Sequence, residues 1–288
     1  MQNEKKLLLK RIVIFTVLAY IPTYLISIFW IKDVNKTTEL QSLLIMFPPA
    51  IANILTRLIT KEGTSEMLLR TNFKGNIRYY IFAVFFGVIG SVFAAILLIV
   101  NYIPDYSFAD SVDFYGKTQI AGILMMNLSL CIITSVITFG EEFGWRAYLT
   151  PRLEKLTGTV PAIIISGIIW GMWHAPMIAK GFNYGKDYDF FPFGGFIAMS
   201  VSCIFYGAFL TWLTKKTNSV YPAVLCHSAV DIFINTIPAL MIPDQSALAE
   251  HSSLIIGILF MLPNIIISAF AFAALIISDY RNKKKCNA

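Results

Sequence analysis

The run Ile120–Phe139, IAGILMMNLSLCIITSVITF, leads straight into Gly140–Arg146, GEEFGWR. The first part carries no charged residue and has the length of about 20 residues that a helix needs to cross a bilayer. The second part sets two carboxylates and a guanidinium directly behind it. A charged group in the middle of a bilayer costs roughly 2.5–3.5 kcal/mol on insertion scales. A chain keeps such groups where they pair, face water or do chemistry. Residues four apart share a helix face, so Glu142 reaches Arg146 and Glu141 is left with Trp145. One carboxylate has a counter-ion and its neighbour has an aromatic ring. That asymmetry suits a general base.

The rest of the chain extends the membrane reading. Of 288 residues, 57% are hydrophobic and 14% charged, and the mean hydropathy is +0.67. Soluble domains run near 45–50% apolar and about 25% charged. The sequence therefore predicts an all-α, polytopic membrane helical bundle. Eight spans are expected: Ile12–Ile31, Leu40–Ile59, Tyr79–Val100, Gln119–Phe139, Val160–Ile178, Phe193–Leu213, Val220–Ile237 and Leu254–Ile277. No repeat or long polar linker divides it, so residues 1–288 read as a single transmembrane domain, with a chemical core about 119–237. Pro48-Pro49 is expected to kink the second span. The stretch 61–78 reads as an amphipathic piece on the membrane surface. Lys5 to Trp30 is too long for a signal peptide and has no small-residue cleavage site, so it reads as an uncleaved first span.

Charge sets the orientation. With the N-terminus inside, 18 Lys and Arg lie on the inner side and five, Lys32, Lys36, Lys117, Lys180 and Lys186, on the outer. The positive-inside rule then gives a cell-membrane protein with both termini cytoplasmic. The net charge of +6 follows from this placement and does not point to nucleic acid. Cys131, Cys203 and Cys226 lie in apolar runs and read as buried thiols. Cys286 has only two residues after it, so it does not form a prenylation box. The Tyr- and Phe-rich loop Gly181–Phe193 reads as an interfacial aromatic belt.

Three histidines occur, and two are inside spans. Intramembrane ionisable groups are candidates for function. His174 shares a face with Trp170, and His227 shares one with Asp231, with Asn235 continuing that stripe. Glu141 lies 16 residues before Thr157 and His174 lies 17 after it, so a reversal at Thr157-Gly158-Thr159 brings the two level. Pro151 is the weak point of that helix. A Glu base, two His and an Asp suit hydrolysis. Glu141 takes a proton from water with His174 orienting it, and His227 with Asp231 stabilises an oxyanion. A zinc ion held by His174, His227 and Asp231, with a fourth position open to water, is the alternative. No H-E-x-x-H is present.

These motifs resemble those of the membrane-embedded CAAX prenyl protease and bacteriocin-processing family, also called CPBP or Abi. The family signatures E-E-x-x-x-R, F-x-x-x-H and H-x-x-x-N/D read here as Glu141-Glu142-x-x-x-Arg146, Trp170-x-x-x-His174 and His227-x-x-x-Asp231, in family order. Trp170 stands in place of Phe, and Asp231 in place of the Asn usual in prenyl-protein proteases. The resemblance implies an intramembrane endopeptidase of metallo- or glutamate type acting on a peptide or membrane-proximal protein. Glu141 would be the base with His174 as its partner, His227 and Asp231 would bind oxyanion or metal, and Glu142 with Arg146 would hold the geometry. A non-catalytic immunity or scaffold protein and a transporter are the competing readings of the same polar residues.

Overall fold

A computed structural model describes residues 2–286, and the side chains at 35, 39 and 282–286 lie outside the described set, as does the expected role of Cys286 and the basic tail. The elements are α1 (Gln2–Phe29), α2 (Glu39–Met46), α3 (Pro48–Ile59), α4 (Ile77–Tyr102), α5 (Phe108–Tyr115), α6 (Lys117–Gly144), α7 (Thr150–Thr157), α8 (Thr159–Trp173), α9 (Ala175–Ile178), α10 (Phe193–Thr217), α11 (Tyr221–Met241), α12 (Ser246–Ala249) and α13 (Ser253–Cys286). No strand occurs among the described residues. This is an all-helical, multi-pass membrane protein. Among the described residues, seven helical stretches are long and apolar enough to span a bilayer, and they coincide with seven of the eight expected spans.

The fifth expected span is shorter than the sequence suggests. Helix α8 ends at Trp173 after 15 residues, about 22 Å at 1.5 Å per residue. Pro176 is the reason. It has no N–H for the carbonyl of Met172, four residues back. The Tyr24 hydroxyl donates to that carbonyl instead, at 2.7 Å. Pro48-Pro49 acts in the same way. It splits the second span at Phe47 into α2 and α3. The freed Ile45 carbonyl accepts a hydrogen bond from Thr23 at 3.1 Å.

Helix α6 continues past the glutamates as the sequence requires, and one helical stretch runs from Lys117 to Thr157. Pro151 does not end it. A single π-helical turn, Trp145–Leu149, precedes the proline, and the Thr150 N–H reaches back to the Trp145 carbonyl. Arg152 Nη1 then donates to the Ala147 and Tyr148 carbonyls at 3.2 and 3.4 Å. Gly158, at φ 88°, makes the expected reversal into α8. This conformation is open to glycine because it has no Cβ.

Two glycines fix the wall that carries the carboxylates. A Cβ on Gly140 would lie 2.5 Å from the Met46 carbonyl oxygen, and one on Gly144 would lie 2.7 Å from the Pro49 carbonyl carbon. Small residues four apart let helices touch along their backbones. The α2–α3 break thus seats directly on Gly140-Glu141-Glu142-Phe143-Gly144. Across the bundle, α11 packs on α4 and α6, and α10 packs on α8 and α13.

Within the expected amphipathic piece 61–78, residues 61–76 form an irregular loop. Lys61, Glu66, Leu68 and Asn72 all have positive φ, which an α-helix does not accommodate. The loop is tied down at several points. Arg57 Nη1 donates to the Gly63 and Ser65 carbonyls at 2.9 and 2.8 Å, and the Val220 N–H donates to Leu68 O at 3.0 Å. Met67 and Leu68 pack against Phe143, Ala147 and Val224. Glu62 joins Arg11 at 3.4 Å and Arg152 at 3.0 Å, and it accepts from the Tyr148 hydroxyl at 2.9 Å. Lys155 pairs with Glu66 and Lys215 with Glu154. Five of the basic residues that charge counting puts on one side, Arg11, Arg57, Arg152, Lys155 and Lys215, bond to this loop or to α7 beside it.

Candidate active site

Glu141 and Glu142 end up in different surroundings although they are adjacent. Both are fully buried. Glu142 Oε2 is 3.0 Å from Arg146 Nε. The approach is not aligned as a hydrogen bond, and both atoms count as buried without one. The pair is thus held by charge rather than by a directed bond. The other oxygen of Glu142 is 2.8 Å from His227 Nδ1. A carboxylate accepts, so in this contact Nδ1 carries the hydrogen. Nε2 is turned to Asp231, 3.7 Å away. The expected His227–Asp231 neighbourhood exists, but Glu142 is the closer partner. The Asp231 side chain is 41% exposed, and Asn235 is exposed as well.

Glu141 has no cation in ion-pair contact among the described residues. Its Oε2 accepts from two indoles, Trp170 Nε1 at 2.5 Å and Trp145 Nε1 at 3.3 Å. The second contact is the one that helical spacing gives. The first crosses from α8.

Trp170 touches each of the other groups as well. Arg146 sits over its ring, 3.9 Å from the centroid. The His227 ring is edge-on to it at 5.5 Å, and the His174 ring is 6.1 Å away. The Trp170 carbonyl is 2.9 Å from His174 Nδ1. A carbonyl only accepts, so Nδ1 carries the hydrogen and, in the neutral ring, Nε2 keeps the lone pair. The three sequence motifs therefore meet around one indole. They are close-packed around it. Rings fill the intervening volume, including Tyr206, which lies 5.9 Å from both Trp170 and His227.

Several participants were not singled out from sequence. Tyr206 lies on α10 in an apolar run without a motif. Phe182 stacks parallel to His174 at 6.3 Å, and Tyr184 is buried. The loop Gly181–Phe193 thus packs in part on the site and is not wholly an interfacial belt. Two of its other rings, Phe190 and Phe193, are exposed. Gly140 and Gly144 bracket the glutamates at the four-residue spacing that signals close helix approach. Cys131, Cys203 and Cys226 are buried free thiols, in keeping with their apolar context.

Among the described residues, no three His, Cys, Asp or Glu side chains are gathered in a way that can hold a metal ion. His174 and His227 do each have Nδ1 engaged, the arrangement that orients an imidazole Nε2 toward a ligand. A third ligand is not brought to them.

Residues 121–233 match the family model described as Type II CAAX prenyl endopeptidase Rce1-like. Over this segment the chain is similar to the CAAX protease family. All the residues that meet at Trp170 from the three CAAX-protease motifs fall inside the matched segment. The protein is also similar to CAAX prenyl protease 2 of Methanococcus maripaludis, with 28% identity over 106 residues. That match covers 36% of this chain and 38% of the relative, so the two are alike over well under half of either length.

Proposed function

We propose that this protein is an intramembrane endopeptidase whose site opens to the cytoplasm, with both termini on that side. Glu141 takes a proton from water as the water oxygen attacks the scissile carbonyl carbon. His174, through Nε2, orients that water. His227, carrying a hydrogen on both ring nitrogens, keeps Nδ1 on Glu142 and donates from Nε2 to the oxyanion that forms, with Asp231 beside it. Glu141 then returns its proton to the departing amine, and the C–N bond breaks. Glu142 and Arg146 hold His227 and the Trp170 ring in place. The observation that carries the reading is the contrast between the two carboxylates. Glu142 is committed to Arg146 and His227, whereas Glu141 is buried at the same place with no cation in ion-pair contact among the described residues. A general base needs that contrast.

The substrate is a membrane-proximal peptide. The relative's name, CAAX prenyl protease 2, makes a prenylated C-terminal tail the first one to test. The purified chain in proteoliposomes is offered a fluorogenic peptide ending in a farnesylated Cys-a-a-X tail and an unprenylated membrane-proximal peptide. Cleavage of either by the wild type, and by neither Glu141→Gln nor His174→Ala, supports the reading. Equal cleavage by wild type and both folded variants sinks it.

A zinc ion on His174, His227 and Asp231 is the second reading, favoured by the two imidazoles held through Nδ1. It requires the three side chains to draw together, so no step above is routed through a metal.

A further inference from the structure

Trp170 engages the site from two directions. Its indole N–H ends on Glu141 Oε2 at 2.5 Å, and its backbone carbonyl meets His174 Nδ1 at 2.9 Å. One residue therefore orients both groups that act on the water. The indole is itself locked, with Arg146 over one face and Tyr206 stacked on it at 5.9 Å. An indole N–H donates and never accepts, so it holds a carboxylate without competing for the proton. Trp145 donates to the same oxygen at 3.3 Å. Both bonds end on Oε2, and neither reaches Oε1.

We propose that Trp170 is the positioning residue of the site: its indole N–H pins Glu141 by Oε2 and makes Oε1 the atom that takes the proton from water. This rests on the hydrolytic reading above. It goes beyond packing, because a phenyl ring at the same position fills most of the space and donates nothing.

The test is Trp170→Phe in proteoliposomes with the fluorogenic peptide that the wild type cleaves, beside Glu141→Gln. A hydrogen bond to a charged group is worth roughly tenfold or more in rate. W170F should lower kcat by about that factor with KM unchanged, and should displace the acidic limb of the pH–rate profile. A loss of packing alone would raise KM or scale the whole profile without displacing it, and that result overturns the proposal. If E141Q is inactive while W170F matches the wild type in kcat and pH profile, the positioning role is lost and the protease reading stands. If wild type and E141Q cleave alike, the protease reading itself is lost.

Should W170F not fold, the wild type supplies the second readout. Its five tryptophans give five indole N–H resonances after 15N labelling in detergent. The Trp170 signal should lie well downfield and move upfield in Glu141→Ala. A spectrum in which no downfield indole signal responds to E141A overturns the proposal.

Discussion

Glu142 Oε1 lies 2.8 Å from His227 Nδ1 across 85 positions of sequence, and the same carboxylate faces Arg146 at 3.0 Å. This contact ties α6 to α11 in a part of the bundle that excludes solvent. It also makes Glu142 a residue of stability, in contrast to its neighbour.

Removing one member of this buried pair should be costly. Glu142→Gln leaves the Arg146 guanidinium buried without its charge partner, a change of about 3–5 kcal/mol. Thermal unfolding in detergent should show a large fall for E142Q and for Arg146→Met. The double variant should be less destabilised than the sum of the two. Glu141→Gln, which strands no cation, should unfold near the wild type.

The backbone seam predicts an effect from a single methyl group. Gly144→Ala places a Cβ against the Pro49 backbone. Overpacking of this kind costs about 1–3 kcal/mol, and here it pushes α3 away from the glutamates. Unfolding temperature and peptide cleavage should fall together. Gly122→Ala, where a Cβ meets nothing within 4 Å, should change neither.

The ionic cluster at the basic end gives a pH dependence of stability. Burial pushes the Glu62 carboxyl up, but the Arg152 charge and hydrogen bond, the Tyr148 hydroxyl and Arg11 outweigh it and hold it below the usual carboxylate range. A depressed folded-state value means that the unfolded chain binds the proton more readily. The stabilisation is therefore complete above the ordinary carboxylate range and is lost as pH falls through the folded-state value. The gap in unfolding temperature between wild type and Glu62→Gln should be widest near neutral pH and should close on acidification. A gap that widens in acid would contradict this arrangement.

Asp231 separates the two hydrolytic chemistries. If its carboxylate only flanks His227 Nε2 at 3.7 Å, Asp231→Asn keeps a polar group there and cleavage persists, with chelator without effect. If it is a zinc ligand, D231N and chelation both abolish cleavage and added zinc restores the chelated wild type. Cleavage measured on both proteins with and without chelator decides.

Periodicity reveals what lies on one helix. The Glu142–Arg146 and Glu141–Trp145 faces, the Pro48-Pro49 break and the turn at Gly158 were all legible, because each depends on neighbours within a few residues. The Glu142–His227 and Glu141–Trp170 contacts were not, because they depend on how α6, α8 and α11 lie against each other. The π turn at Trp145–Leu149 was hidden for a related reason. Pro151 signals a break, and only Arg152 bending back to the Ala147 and Tyr148 carbonyls shows how the helix survives it. The loop 61–76 looked amphipathic because Met67, Leu68 and Phe73 alternate with charge. Left-handed backbone at four non-glycine positions breaks any helix there, and tertiary anchors hold it instead.

Gly140 and Gly144 leave α6 resting on the α2–α3 corner with nothing longer than the Pro49 ring between them. Surfaces joined in this way have no ridge to ride over and no rotamer to yield, so this flank of the bundle is stiff. The same close approach recurs where Gly167 and Gly171 of α8 meet the Ile204 and Ser200 backbone of α10, so the two walls that carry Glu141 and Trp170 are both braced along their backbones.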